Sequence, residues 1–116
     1  MDVGRRGREA VAAVDLLSGD VVGIARFVRD DDDPSSAEIA FEVVDRCQGS
    51  GVGSRLLEEL TELARSEGIE RFSASVAAGN EPALALVRRI GPVLRSSYED
   101  GANQLLVTLE TLTRAA

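Results

Sequence analysis

Residues 38–57 of the chain read EIAFEVVDRCQGSGVGSRLL, and within this stretch the period of the apolar residues changes. Ile39, Phe41 and Val43 alternate with polar or small residues, which is typical of a strand with one buried face. Beyond the glycines, leucines recur at helical spacing with charged residues between them. The stretch therefore predicts a strand, a glycine-rich turn and an amphipathic helix over about residues 51–66.

The rest of the chain extends this pattern in both directions. The predicted elements are strands at 10–17, 21–28 and 37–44, the helix at 51–66, a strand at 69–76, a helix that begins after Asn80, and strands at 93–98 and 104–110. A strand, a helix and a strand in succession imply a parallel pair with a right-handed crossover. We therefore expect an α/β (α+β) fold: a mixed, mostly antiparallel sheet with a central β-α-β crossover, in the order β-β-β-α-β-α-β-β.

Length and composition indicate one small domain. The chain has 116 residues, of which 44% are hydrophobic, enough for a single core over residues 9–116 after a flexible N-terminus at 1–8. It contains no apolar run long enough for a membrane span or a signal peptide. We expect a soluble, cytoplasmic protein without a membrane partner.

Missing residue types exclude several chemistries. The sequence has no histidine, one cysteine (Cys47), and 13 basic residues that are all arginine. Histidine-assisted nucleophiles, the usual zinc sites, Schiff-base lysines and P-loops are therefore ruled out, and we expect no metal. A formal net charge of -7 opposes binding to a phosphate backbone, so we expect no nucleic-acid partner.

The glycine-rich turn, residues 48–53, is a candidate anion site. Amide groups at a helix N-terminus lack intrahelical partners, and glycines let an anion approach the backbone closely. A dinucleotide fingerprint does not fit, because Ser54 stands where its last glycine is required. The turn alone is also compatible with a tight bend that binds nothing.

Two motifs resemble those of the GNAT acetyltransferase family. Residues 38–57 resemble the family's central motif, whose Q/R-x-x-G-x-G/A loop binds the pyrophosphate of coenzyme A. Residues 80–91, NEPALALVRRIG, resemble its second motif, N-x-x-A-x-x-L-Y-x-x-x-G-F. The resemblance runs from 21 to 109. Within the family, residues 25–30 and 37–41 look most similar to bacterial protein-lysine acetyltransferases of the Pat type.

This resemblance implies acetyl-CoA (coenzyme A) as the cofactor. Its expected contacts, which include backbone amide groups near the end of the third strand, are Val43, Val44, Gln48, Gly49, Ser50, Gly51, Val52, Gly53, Ser54 and Asn80. Asn80 also suits a helix N-cap, and the two roles are compatible.

The resemblance further implies acetyl transfer to an amine, with a protein lysine as the acceptor. Glu38 is the candidate general base and Glu42, on the same strand face, is the second choice. Val87 replaces the tyrosine that usually acts as the family's acid, so Tyr98 is the remaining candidate for that role. Glu38 also suits the exposed face of a strand without any catalytic task. The alternatives are a non-catalytic acyl-CoA-binding sensor or regulatory module, and a dimerising scaffold that binds no coenzyme A.

The resemblance leaves the front of the domain unaccounted for. The strand and two helices that usually open a GNAT domain, and that wall its acceptor pocket, have no counterpart ahead of residue 21. We therefore expect an acceptor site that is open or completed by a second subunit, and a homodimer that buries the thinly covered part of the sheet.

Overall fold

The computed structural model describes residues 7–109, which form one sheet and two helices. In chain order the elements are β1 (Arg8–Val14), β2 (Val21–Arg29), β3 (Ser36–Val43), a 3-10 turn (Asp45–Cys47), α1 (Val52–Ser66), β4 (Arg71–Ala77), α2 (Glu81–Arg88), β5 (Val93–Glu99) and β6 (Ala102–Thr108). This order confirms the predicted β-β-β-α-β-α-β-β succession. Residues 1–6 of the predicted flexible N-terminus, and the end of the last predicted strand at 110, lie outside the described residues.

The first strand ends earlier than predicted. Asp15 Oδ1 accepts hydrogen bonds from the N–H groups of Leu17 at 2.8 Å and Ser18 at 3.3 Å. These local bonds turn the chain directly after Val14, as aspartate side chains often do. Leu16 and Leu17 are consequently 96% and 99% exposed, although their apolar character had suggested a continuing strand.

The six strands lie in the order β1-β2-β3-β4-β6-β5. All neighbours are antiparallel except β3 and β4, which are parallel and joined through α1. The predicted crossover is therefore present at the centre of the sheet. Within residues 7–109, neither helix has the length and apolarity required to cross a bilayer.

The core lies between one face of the sheet and the two helices. Helix α1 packs on β1, β2 and β3, and α2 packs on β4 and on α1. The rings of Phe27 and Phe72 meet at the centre, with centroids 6.0 Å apart. The buried face of α1 includes four residues that the helical period indicated and one polar residue that it did not, Thr61; the four are Leu56, Leu57, Leu60 and Ala64.

The opposite face of the sheet, called here the open face, is not covered by α1 or α2. Glu38, Ala40 and Glu42 are exposed on it, whereas the intervening Ile39 is buried among the core residues. Ile24 and Val28 of β2 lie beside them in the register and are 37% and 39% exposed. The open face thus presents acidic and apolar side chains together.

Candidate active site

A gap opens between β3 and β4 at the centre of the sheet. Their parallel register runs only from Ser36 with Arg71 to Glu38 with Ser73, whereas β3 continues to Val43. Beyond Glu38 the strands diverge, and β4 instead stays paired with β6 along its whole length. The result is a wedge-shaped opening inside the sheet, with Glu38 where it begins.

Backbone groups of β3 face this gap. Ser36 and Val44 are each bonded to β2 or its extension: Ser36 O accepts from the N–H of Asp30, and Val44 N–H donates to Val22 O, both at 2.9 Å. Because backbone groups alternate along an antiparallel strand, the intervening odd-numbered residues direct their amides away from β2. The N–H of Val43 therefore faces the gap. That of Val44, also expected to contact the cofactor, is already used by β2.

Helix α1 begins at the mouth of the gap without a side-chain cap. Gly51 is its N-cap residue, and the first amide bonded into the helix is that of Arg55, which donates to Gly51 O at 3.0 Å. Four amides precede it without a backbone acceptor among the described residues, and we call them the amide cluster: Gly51, Val52, Gly53 and Ser54. Such amides, at the positive end of a helix, form a site for an anion.

The glycines of the loop serve two different purposes. Gly49 and Gly51 have φ of +82° and +94°, and a Cβ on either would meet no atom within 4 Å. These positions combine a left-handed backbone with open space in front of the amides. Gly53 differs, since a Cβ there would lie 2.8 Å from Leu86 Cδ1. The missing side chain at 53 therefore makes room for α2, while the amide of Gly53 stays part of the predicted anion site.

Side chains hold the loop in place at both ends. Gln48 Nε2 donates to Val43 O at 3.2 Å and to Asp45 Oδ1 at 3.3 Å, which ties the loop to the end of β3. Ser50 Oγ donates to the carbonyl of Cys47. At the start of α2, Asn80 Oδ1 accepts from the N–H of Ala83 at 3.3 Å, the cap that the sequence predicted.

A cavity of about 310 Å³ lies between the end of β3, the glycine-rich loop and the start of α2. Of the predicted cofactor residues, Val43, Gln48, Gly49, Gly53 and Asn80 line it. The apolar walls of the cavity were not predicted from the sequence; they are Phe41, Pro82, Ala83 and Leu86. The alternation of β3 and the helical spacing after Asn80 are the signals that could have identified them. Amide donors at one end and apolar walls along the rest suit an extended ligand with an anionic head.

The two candidate bases lie at different points along the gap. Glu42 borders the cavity near its wide end. Glu38 stands where the strands separate, and it borders a second cavity of about 310 Å³ on the open face, together with Ser73, Arg95 and Gln104. A carboxylate at Glu38 is thus accessible from the open face and lies beside the narrow end of the gap.

Tyr98 is not brought to this site. It lies on β5, at the edge of the sheet, is 63% exposed and is separated from β3 by β4 and β6. Val87, at the position of the family's tyrosine, is completely buried in the core. This placement argues against Tyr98 as the substitute acid, because side chains alternate along β5 and Ser97 and Glu99, but not Tyr98, line the cavity beside Glu38.

The sequence of this chain is similar to a known protein family and to curated relatives. Residues 4–91 match the model of the acetyltransferase (GNAT) family. The acetyltransferase Pat of Mycolicibacterium smegmatis is 40% identical over 75 residues, which are 65% of this chain and 22% of that protein. The chain thus spans about a fifth of that curated relative.

Solved structures share the fold. The GNAT domain of S. lividans PAT superposes with a TM-score of 0.76 at 33% identity, covering 90% of this chain and 62% of that one. A cAMP-binding acyltransferase from Mycobacterium smegmatis gives 0.78 at 28% identity, covering 94% and 33%. Since the family model covers most of the chain and the fold agrees, the chain belongs to the GNAT family of acetyltransferases.

Proposed function

We propose that this chain transfers an acetyl group from acetyl-CoA to a primary amine, with a protein lysine as the acceptor. The observation that carries the proposal is the cavity at the end of β3, which is lined by Val43 of that strand, by the glycine-rich loop and by Gly53 of the amide cluster. The amides at the start of α1 would bind an anion, and the backbone of Val43 and the carboxylate-bearing Glu42 border the same cavity.

The residues from the amide cluster to the end of β3 fit successive parts of acetyl-CoA. The amide cluster would hold the pyrophosphate, because its four N–H groups have no backbone acceptor within residues 7–109 and lie at the positive end of α1. The apolar walls, including Phe41 and Leu86, would enclose the pantetheine arm. Bound acetyl-CoA supplies an activated thioester. The N–H of Val43 is available to donate to the thioester oxygen, where negative charge develops during attack.

Glu38 is the proposed base. A lysine amine has a pKa of about 10.4 and is protonated at neutral pH, so it must lose a proton before or during attack. Glu38 takes this proton, directly or through one water, from an amine that arrives across the open face. The neutral amine attacks the thioester directly in a ternary complex, the C–S bond breaks with release of the thiolate of coenzyme A, and the nitrogen gives up its second proton to solvent as the amide forms.

Departure of the thiolate requires no acid from α2. A thiol of pKa about 8.5 is a tolerable leaving group, so the aliphatic Val87 is compatible with turnover. Solvent then protonates the thiolate. Protein lysine is proposed as the acceptor on the resemblance to Pat-type enzymes, and the exposed position of Glu38 supports it, because a side chain on a protein surface can reach this face.

A thiol-release assay tests the proposal. The protein is incubated with acetyl-CoA and a panel of small amines, lysine peptides and lysine-containing proteins, and free coenzyme A is measured. We expect release with a lysine acceptor. Glu38→Gln should lower kcat by about 10²-fold or more with acetyl-CoA affinity unchanged, because a general base contributes about 10²–10⁴-fold. Glu42→Gln, a matched carboxylate on the same strand face, should lose much less.

The same assay separates the second candidate, an acyl-CoA sensor or regulatory module. The burial of Val87, where the family has its proton donor, is the observation that favours it. A sensor would bind acetyl-CoA in isothermal titration and yet release no thiol with any acceptor. That combination would contradict the transferase proposal while leaving the cofactor site intact.

A further inference from the structure

We propose that Arg89 recognises the 3′-phosphate of coenzyme A and so makes the site selective for coenzyme A over dephospho-coenzyme A. The inference rests on the proposed function, because it extends the same cofactor site. It assigns to the residue that follows α2 a role that neither of the two sequence motifs requires.

The contact between Arg89 and the start of α1 is the first observation. Arg89 Nη1 donates to Ser54 Oγ at 3.3 Å. Ser54 belongs to the amide cluster, so this hydrogen bond holds a guanidinium group beside the proposed pyrophosphate site. Leu86 reaches the position of Gly53 from the same helix, which fixes the crossing of α2 over the start of α1.

The side-chain partner of Arg89 distinguishes it from two other arginines near the loop, Arg46 and Arg55. Arg46 lies 3.8 Å from an Asp15 carboxylate oxygen, and Arg55 lies 3.2 Å from one of Glu59. The side-chain contact of Arg89 within the described part of the chain is instead with the uncharged hydroxyl group of Ser54. Its cation is therefore available to an anionic ligand, and a guanidinium forms strong, charge-assisted hydrogen bonds with a phosphate.

A groove beside Arg89 indicates which phosphate it meets. The groove, of about 290 Å³, lies between α1 and α2 and has apolar walls from Leu57, Leu86 and Ile90, with Ser54 and Arg89 at one end. A flat apolar group fits such walls. Coenzyme A carries a diphosphate, an adenosine and a phosphate monoester in succession. Because the groove adjoins the amide cluster at Ser54, a diphosphate on that cluster would leave the adenosine and its 3′-phosphate within reach of the groove.

Acidic residues in the groove make the cation at its end important. Glu58 and Glu62 both line the groove, and Glu62 is paired with Arg65 at 3.1 Å. A phosphate monoester near these carboxylates would be repelled unless a neighbouring cation compensated. Arg89 is the groove cation next to the amide cluster, which is why we assign the 3′-phosphate to it.

The experiment compares coenzyme A with dephospho-coenzyme A by isothermal titration. The unmodified protein should bind coenzyme A at least about tenfold more tightly, as one charge-assisted phosphate contact provides. Arg89→Gln should abolish most of this preference and leave the affinity for dephospho-coenzyme A unchanged. Arg89→Lys, which retains the charge but not the planar geometry, should keep part of the preference.

Arg88→Gln is the matched control, because it removes the same charge from an exposed neighbour on the same helix end. It should leave the preference intact. Equal weakening of both ligands by Arg89→Gln would overturn the inference, since Arg89 would then act only by holding Ser54. Equal affinity of the unmodified protein for both ligands would also overturn it while the proposed function stood. Failure to bind either ligand would contradict both.

Discussion

Replacing Gly51 by alanine should lower both the stability of the fold and the affinity for the cofactor. Gly51 has φ +94° and ψ -4°, a left-handed conformation that costs an L-residue about 1–3 kcal/mol. A Cβ there would meet nothing within 4 Å, so no steric clash adds to this cost. The variant should fold with a free energy of unfolding lower by about that amount.

The expected loss of cofactor affinity follows from the same geometry. Partial relief of the strain would rotate the peptide planes on either side of residue 51, and so turn the amides of residue 51 and Val52 away from the diphosphate. Each hydrogen bond to a charged group contributes about 1.5–3 kcal/mol. Loss of one such bond should weaken acetyl-CoA binding at least about tenfold, and loss of both about a hundredfold or more.

Gly68→Ala is the matched control. Gly68 lies beyond the other end of α1 and has φ +83°, and a Cβ added there would likewise meet nothing within 4 Å. Both variants should lose similar stability in thermal unfolding, whereas only Gly51→Ala should lose affinity in isothermal titration with acetyl-CoA. If Gly51→Ala bound acetyl-CoA as tightly as Gly68→Ala and the unmodified protein do, the assignment of the amide cluster to the pyrophosphate would be wrong.

Three further results are expected. Gly53→Ala would place a Cβ 2.8 Å from Leu86 Cδ1, so Leu86→Ala should destabilise the Gly53→Ala variant less than it destabilises the unmodified protein in denaturant titration; strict additivity would refute this contact. A hydrogen bond from the N–H of Ser35 and, to a smaller extent, one from the Arg71 side chain hold the pKa of Asp33 below its usual 3.8. A carboxyl group whose pKa is lower in the folded than in the unfolded state stabilises the fold at pH values above the unfolded pKa, and this stabilisation is lost as pH falls through the folded pKa. Asp33→Asn should therefore lower Tm at pH 7 and differ little from the unmodified protein at about pH 2. A difference in Tm that stays constant with pH would refute the linkage. The apolar part of the open face should be buried in a homodimer, with twice the 12.3 kDa chain mass in light scattering, and a monomeric mass at micromolar concentration would contradict this.

The spacing of the apolar residues predicted the strands and helices, because each element buries one face in the core and the burial sets that spacing. It predicted α1 almost to the residue, since the alternation of leucines with charged residues ends at Gly68. It failed at the end of β1, where Leu16 and Leu17 are apolar but exposed. There the side-chain bonds of Asp15 determine the turn, and hydrophobicity carries no information about them.

The candidate site was predictable where it depends on one contiguous segment. The loop from Gln48 to Gly53 follows its strand directly, so its amides had to lie at the start of α1. Tyr98 and Arg89 depend on contacts between distant segments. The strand order β4-β6-β5 places Tyr98 at the far edge, and the crossing of α2 over α1 brings Arg89 to Ser54. Neither relation has a local signature in the sequence.

The most direct test of the account is a titration of the ¹⁵N-labelled protein with coenzyme A, followed by amide chemical shifts. The account predicts that the largest changes occur at Gly51, Val52, Gly53 and Ser54, with little change at Gly68 beyond the opposite end of the same helix. Saturable binding that leaves these four amides unshifted while others move would contradict the claim that they hold the diphosphate.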